Sequence, residues 1–110
     1  MIKVIIIKSK FRLYVYKDNV LIRNYPVAIG KPSTPTPVGN AKIINRAPNP
    51  GGPYGAMWLG LSIPHIGIHG TNAPFSIGKT VSHGCIRMQN KDVLELARLA
   101  PIGTPVTITP

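Results

Sequence analysis

Acidic side chains are nearly absent from this chain. Only Asp18, Asp92 and Glu95 occur in 110 residues, and the scarcity removes whole classes of chemistry. A glycosidase of the usual kind needs two carboxylates flanking the scissile bond, and an aspartic protease needs a carboxylate dyad. Asp18 falls in a predicted turn while Asp92 and Glu95 share one helical segment, so neither arrangement can be built. A single cysteine excludes an internal disulfide and puts any thiol chemistry on one residue. No apolar run is long enough to span a bilayer. The apolar stretch from Ile2 to Ile7 is short and lacks the small-residue cleavage site of a leader. It reads as a buried strand, and no export signal is expected within these residues.

Positive charge is what the chain has in excess. A formal charge of +10 implies anionic surroundings or an anionic partner through long-range attraction. The basic residues are spread along the sequence, and there is no zinc finger, helix-turn-helix or RNA-binding aromatic signature. On charge alone nucleic acid and an anionic cell-wall polymer are both candidates; without such a signature no nucleic-acid partner is expected, and a general affinity for polyanions is what the charge supports. A hydrophobic fraction of 44% is too high for disorder and suits one modest core, so residues 1–110 are expected to form a single domain.

Twelve prolines and eleven glycines point to short strands joined by turns. Lys3–Lys8 reads as a central strand. Phe11, Leu13 and Val15 alternate with Arg12, Tyr14 and Tyr16 as in a half-buried strand. After a turn at Asp18-Asn19, Val20–Ile29 reads as the next strand. Gly30–Gly39 is a stiff loop, Ala41–Ile44 a strand and Ala47–Gly55 a second Pro/Gly loop. Met57–Ile63, Ile66–His69 and Val106–Thr109 complete the strands. Val93, Leu94, Leu96, Ala97 and Ala100 have helical spacing, with Asn90 as the expected cap and Pro101 as the stop.

The chemistry concentrates in the stretch from Ile68 to Met88, which holds two of the three histidines, the only cysteine and an arginine. A thiolate is the working nucleophile of cysteine chemistry, so Cys85 needs a base or an electropositive setting. Gly84 lets the backbone turn tightly, and bare amides beside it can face a developing oxyanion. Arg87 leaves an extended segment on the same side as the thiol, where it favours thiolate and can pair with a substrate carboxylate.

His69-Gly70-Thr71 followed by Ser82-His83-Gly84-Cys85-Ile86-Arg87-Met88 resembles the signature of the L,D-transpeptidase catalytic domain, the YkuD family. Lys8-Ser9-Lys10, Arg12–Tyr16, Gly30-Lys31-Pro32, Thr34–Pro37 before Gly39, Asn90-Lys91-Asp92 and Gly103–Val106 extend the resemblance over nearly the whole chain. The wall-binding repeat or membrane anchor often attached to this domain is not among these residues.

The resemblance implies a mostly β fold, a YkuD-like β-sandwich or distorted barrel with one short C-terminal helix. It implies Cys85 as nucleophile toward a peptidoglycan stem tetrapeptide and His69 as proton acceptor and donor, oriented by the Gly70 carbonyl. Amides around His83, Gly84 and Cys85 would form the oxyanion hole. An amine from a neighbouring stem would resolve the thioester into a cross-link, and water in its place would make the protein a carboxypeptidase. No metal or organic cofactor is implied, and the activity belongs to a cell wall or spore wall.

Substrate contacts are expected from Arg87, Ser82, Tyr54 and Trp58, although one tryptophan near a strand start also suits the core. His83 either tunes the thiol or shapes its loop, and His65 reads as solvated or structural. Two readings compete with the enzyme. One is a zinc module built from His65, His69, His83 and Cys85, whose spacing fits no common motif. The other is a basic binding module without activity, which leaves the His/Cys constellation unexplained.

Overall fold

The computed structural model describes residues 1–110. The β-branched run forms β1 (Ile2–Ile7), with Val4 and Ile6 facing the core. It lies between two partners: β2 (Arg12–Lys17), antiparallel, and β9 (Pro105–Thr109), parallel. Alternation in β2 sends Leu13 and Val15 inward. Asp18 and Asn19 both take positive φ, 51° and 68°, the geometry of a tight hairpin whose twist matches its strands. The chain returns as β3 (Val20–Gly30).

β3 and β4 (Gly39–Pro48) each serve two neighbours. The first half of β3 pairs with β2, and Val27 and Ala28 then pair with β8 (Ile86–Met88). The first half of β4 pairs with β9 and its second half with β5 (Met57–Leu61). β6 (Gly67–His69) is antiparallel to β5 and parallel to β8. The resulting order is β2-β1-β9-β4-β5-β6-β8-β3, and the β2–β3 pairing closes it into a barrel-like sheet. Short β7 (Thr80–Ser82) attaches to the end of β3. The fold is thus mostly β, a distorted barrel, as the sequence implied. The single helix, α1 (Asn90–Leu99), buries Val93, Leu96 and Ala97 against β5 and β6.

Boundaries differ from the sequence reading for local reasons. β4 continues to Pro48 instead of ending near Ile44, because its second half finds β5 as a partner. β5 stops at Leu61 rather than Ile63. Leu61 N donates to Ile66 O and His65 adopts φ 65°, which together close a turn around Pro64. β7 and β8, three residues each, are too short to carry a period and were not legible. Asn90 does not cap α1. Gln89 occupies the cap position without a side-chain bond, and Asn90 is the first helical residue.

Candidate functional site

The parallel pairing of β6 with β8 builds the centre of the site. Ile68 lies beside Ile86, both fully buried, so the alternate residues His69 and Arg87, also paired, share the opposite face. Cys85 precedes β8 by one residue and joins that face. Together with Pro53, Tyr54, Ser82 and His83 these three side chains line a cleft of about 250 Å³. Asp18, Asp92 and Glu95 all lie outside it.

His69 is almost wholly enclosed, 3% exposed. Its Nδ1 lies 2.6 Å from Gly70 O. A carbonyl oxygen only accepts, so Nδ1 carries the proton and Nε2 the free lone pair. Burial lowers the His69 pKa from its ordinary value, the Gly70 carbonyl opposes this, and Arg87 adds to the lowering. The imidazole is therefore held neutral and basic at Nε2.

Burial also raises the Cys85 pKa, which is the largest influence on it; the Gly67 amide and the Arg87 charge pull it back down. Arg87 thus acts in the direction expected from the sequence, but desolvation outweighs it. The thiol donates weakly to His65 O at 3.6 Å. The chemistry available is that of a neutral thiol beside a neutral base, with a cation on the same face.

Aromatic rings wall in His69. Trp58, its cross-strand partner, stacks on it at 5.8 Å between centroids, and Tyr54 meets it edge-on at 5.0 Å. Trp58 is half-buried and its Nε1 donates to Asn45 Oδ1 at 3.1 Å. It does not line the reactive cleft. With Ala47, Pro50 and Tyr54 it lines an adjoining apolar pocket of about 280 Å³, so Tyr54 is shared by both.

Ser82 is buried and works within its own loop, donating to Cys85 O at 2.6 Å and accepting from Gly84 N at 3.1 Å. The Gly84 amide is thereby occupied in this conformation. Gly84 itself takes φ 119°, which a side chain tolerates poorly. The exposed His65 supplies only its carbonyl to the thiol. No three of the chain's His, Cys, Asp and Glu side chains gather as metal ligands would, so the four residues of the zinc reading do not form one cluster.

Two contributors escaped the sequence reading. Asn90 Oδ1 accepts from Ala56 N and Thr71 N, both at 3.0 Å, and its Nδ2 donates to Thr71 O at 3.0 Å. It ties the segment after His69 to the root of the Tyr54 loop. A Cβ on Gly55 or Gly70 would come within 2.2 Å or 2.1 Å of Asn90 Oδ1, which explains both glycines. Its place before a helical pattern suggested a cap, and no local signal distinguishes that from this long-range role. The second is the pair Thr34 and Thr36, which lie behind the Cys85 loop.

The sequence model of the YkuD family, described as the L,D-transpeptidase catalytic domain, matches residues 2–108. The chain belongs to this family. It is 61% identical over 98 residues to the YkuD protein of Bacillus licheniformis, covering 89% of this chain and 59% of that one. The YkuD protein of Bacillus subtilis is 63% identical over 91 residues, covering 83% of this chain and 56% of its own length. The chain therefore spans somewhat over half of these YkuD relatives. An L,D-transpeptidase from Mycobacterium smegmatis shares the fold, with a TM-score of 0.88 at 20% identity over 99% of this chain and 58% of that one.

Proposed function

We propose that this YkuD-family chain acts as one domain, a cysteine-dependent L,D-transpeptidase that cross-links peptidoglycan stem peptides. The observation that supports it is the meeting of one thiol, one neutral imidazole and one guanidinium in a single cleft. His69 Nε2 takes the Cys85 proton as Sγ attacks the carbonyl carbon after the third stem residue. The C–S bond forms and the carbonyl π pair moves to oxygen. Collapse breaks the C–N bond, and the terminal D-alanine leaves as an amine with the proton that His69 held. The amine of a neighbouring stem then attacks the thioester, forming the cross-link and restoring the thiol. Water in that step gives trimming instead.

Arg87 is suited to the donor's carboxylate. Its Nη1 donates to Ser76 Oγ at 3.2 Å and its Nε is buried without a partner, while the side chain as a whole lines the cleft and brings its charge to any carboxylate bound there. The charge of +10 suits work in an anionic wall, and binding to such polymers should weaken with salt.

Intact-protein mass measurement with a carbapenem tests the nucleophile. A single adduct on the wild type and none on Cys85→Ala is expected. An adduct on both proteins, or none on folded wild type, would sink the assignment. A tetrapeptide donor incubated with an amine acceptor then reads cross-linking against trimming by product mass.

The protonation states also make a pH prediction. A lowered His69 pKa keeps the base neutral to more acidic pH than an ordinary histidine, so acylation should persist there. A raised Cys85 pKa means that alkylation by iodoacetamide should still be climbing above the ordinary cysteine range. A pH-independent alkylation plateau reaching into acid would instead indicate a preformed thiolate–imidazolium pair.

A further inference from the structure

The loop Lys31–Val38 contributes nothing to the cleft lining, yet it makes most of the long-range hydrogen bonds to the loop that carries Cys85. Ser82 O accepts from Lys31 N at 3.0 Å and from Thr34 Oγ1 at 2.9 Å. Gly84 O accepts from Thr36 Oγ1 at 2.8 Å, and the same hydroxyl accepts from Gly30 N at 2.9 Å. Thr36 is 1% exposed, and its own carbonyl accepts from Lys8 Nζ, which anchors the brace to the turn that follows β1.

Each clamped carbonyl fixes an amide. The chain has no cis peptide bond, and in a trans peptide the C=O and the following N–H point in opposite directions within one plane. Holding Ser82 O against Thr34 aims the His83 N–H away from the brace. Holding Gly84 O against Thr36 does the same for the Cys85 N–H. The amide of the peptide between them, Gly84 N–H, is spent on Ser82 Oγ. Neither the His83 nor the Cys85 amide donates to a loop carbonyl or a side chain, and both residues line the cleft that the brace does not touch.

We propose that Thr34 and Thr36 are positioning residues that preorganise a two-donor oxyanion hole, the His83 and Cys85 amides, by gripping the carbonyls of the same two peptide planes. The inference rests on the acyl-transfer reading above. It changes the donor set from three consecutive amides to two alternate ones, and it gives the threonine-proline loop a task in the reaction. Oriented dipoles contribute most where they need no reorganisation as charge develops, and a loop of small residues cannot hold such an orientation alone.

The test compares two reactions of one thiol. Acylation by a carbapenem passes through an oxyanion, whereas alkylation by iodoacetamide displaces iodide from carbon and develops none. Rates for wild type, Thr36→Val, Thr36→Ser and Thr34→Val would be read by intact mass. Thr36→Val should acylate about tenfold or more slowly, since loss of a whole oxyanion donor costs 10²–10³ and misalignment somewhat less. Its alkylation rate should stay within about twofold of wild type, and Thr36→Ser should restore acylation. Thr34→Val, at a less buried position, should show the same split more weakly and serves if Thr36→Val does not fold. Equal losses in both reactions would make the threonines merely structural and overturn the proposal, as would acylation unchanged in Thr36→Val and Thr34→Val. A wild type that alkylates but never acylates would instead refute the acyl-transfer reading on which the proposal stands.

Discussion

Two proline-rich loops serve the cleft, Lys31–Val38 without a glycine and Asn49–Gly55 with three, and their physics is opposite. Lys31–Val38 packs behind the Cys85 loop, with Thr36 buried and hydroxyls locking it to that loop and to the end of β3. Asn49–Gly55 stands at the outer wall, exposed along most of its length, and carries Tyr54 over His69. Its bonds are local ones, Gly51 N to Gly55 O at 2.9 Å and Tyr54 N to Gly51 O at 3.2 Å. A Cβ on Gly51 or Gly52 would meet nothing within 4 Å, whereas one on Gly30 would lie 2.1 Å from Thr34 O. Proline fixes φ at several positions in both loops, whereas the glycines of Asn49–Gly55 leave the outer one permissive. What further separates a brace from an adaptable wall is whether small hydroxyl residues find carbonyls to hold.

The sharpest way to break the contrast is Gly30→Ala. The new methyl would collide with backbone, which cannot rotate away, so a loss of about 1–3 kcal/mol or more is expected, read as a lower melting temperature. An unchanged melting temperature would show that the brace is as pliable as the outer loop.

Asn90→Ala comes next, because Asn90 ties the outer loop's root to the segment after His69. Leaving the Ala56 and Thr71 amides without their acceptor should cost about 1–3 kcal/mol. Acylation should fall further than stability explains, since the Gly70 carbonyl that orients His69 belongs to the same segment. Asn90→Asp keeps the acceptor and should recover most of the stability in denaturant titrations.

Tyr54→Ala should leave stability within about 0.5 kcal/mol, as expected for an exposed side chain, while raising the KM for a stem tetrapeptide several-fold with a smaller change in kcat. A change confined to kcat would place Tyr54 with the machinery and not with the wall. The smallest effect on the reaction is expected for Gly51→Ala. Its φ of 78° with ψ of −179° lies where only glycine sits easily, a penalty of about 1–3 kcal/mol for a residue with a Cβ, but the space is open and acylation should be unaffected.

Much of the molecule was readable because its signals are local. Alternation in Arg12–Tyr16, the apolar run of β1 and the helical spacing around Leu96 each follow from side-chain direction along one element. The neighbourhood of Cys85 was readable for a similar reason: small residues beside a lone thiol and two histidines make poor core. β7, β8 and the Asn90 contacts were not, since three-residue strands have no period and a side-chain bond across 34 residues has no local mark.

By itself the sequence determined the family, the mostly β architecture with one helix, the poverty of carboxylates and the stretch in which the chemistry lies. Only the tertiary structure decided the balance of charge in the cleft, where burial outweighs Arg87 and leaves a neutral thiol beside a neutral imidazole. It also decided which amides remain unspent beside Cys85 and which loop holds them. The reason is common to both. Desolvation and hydrogen-bond satisfaction depend on every segment that packs around a group, and those segments meet only when the barrel closes.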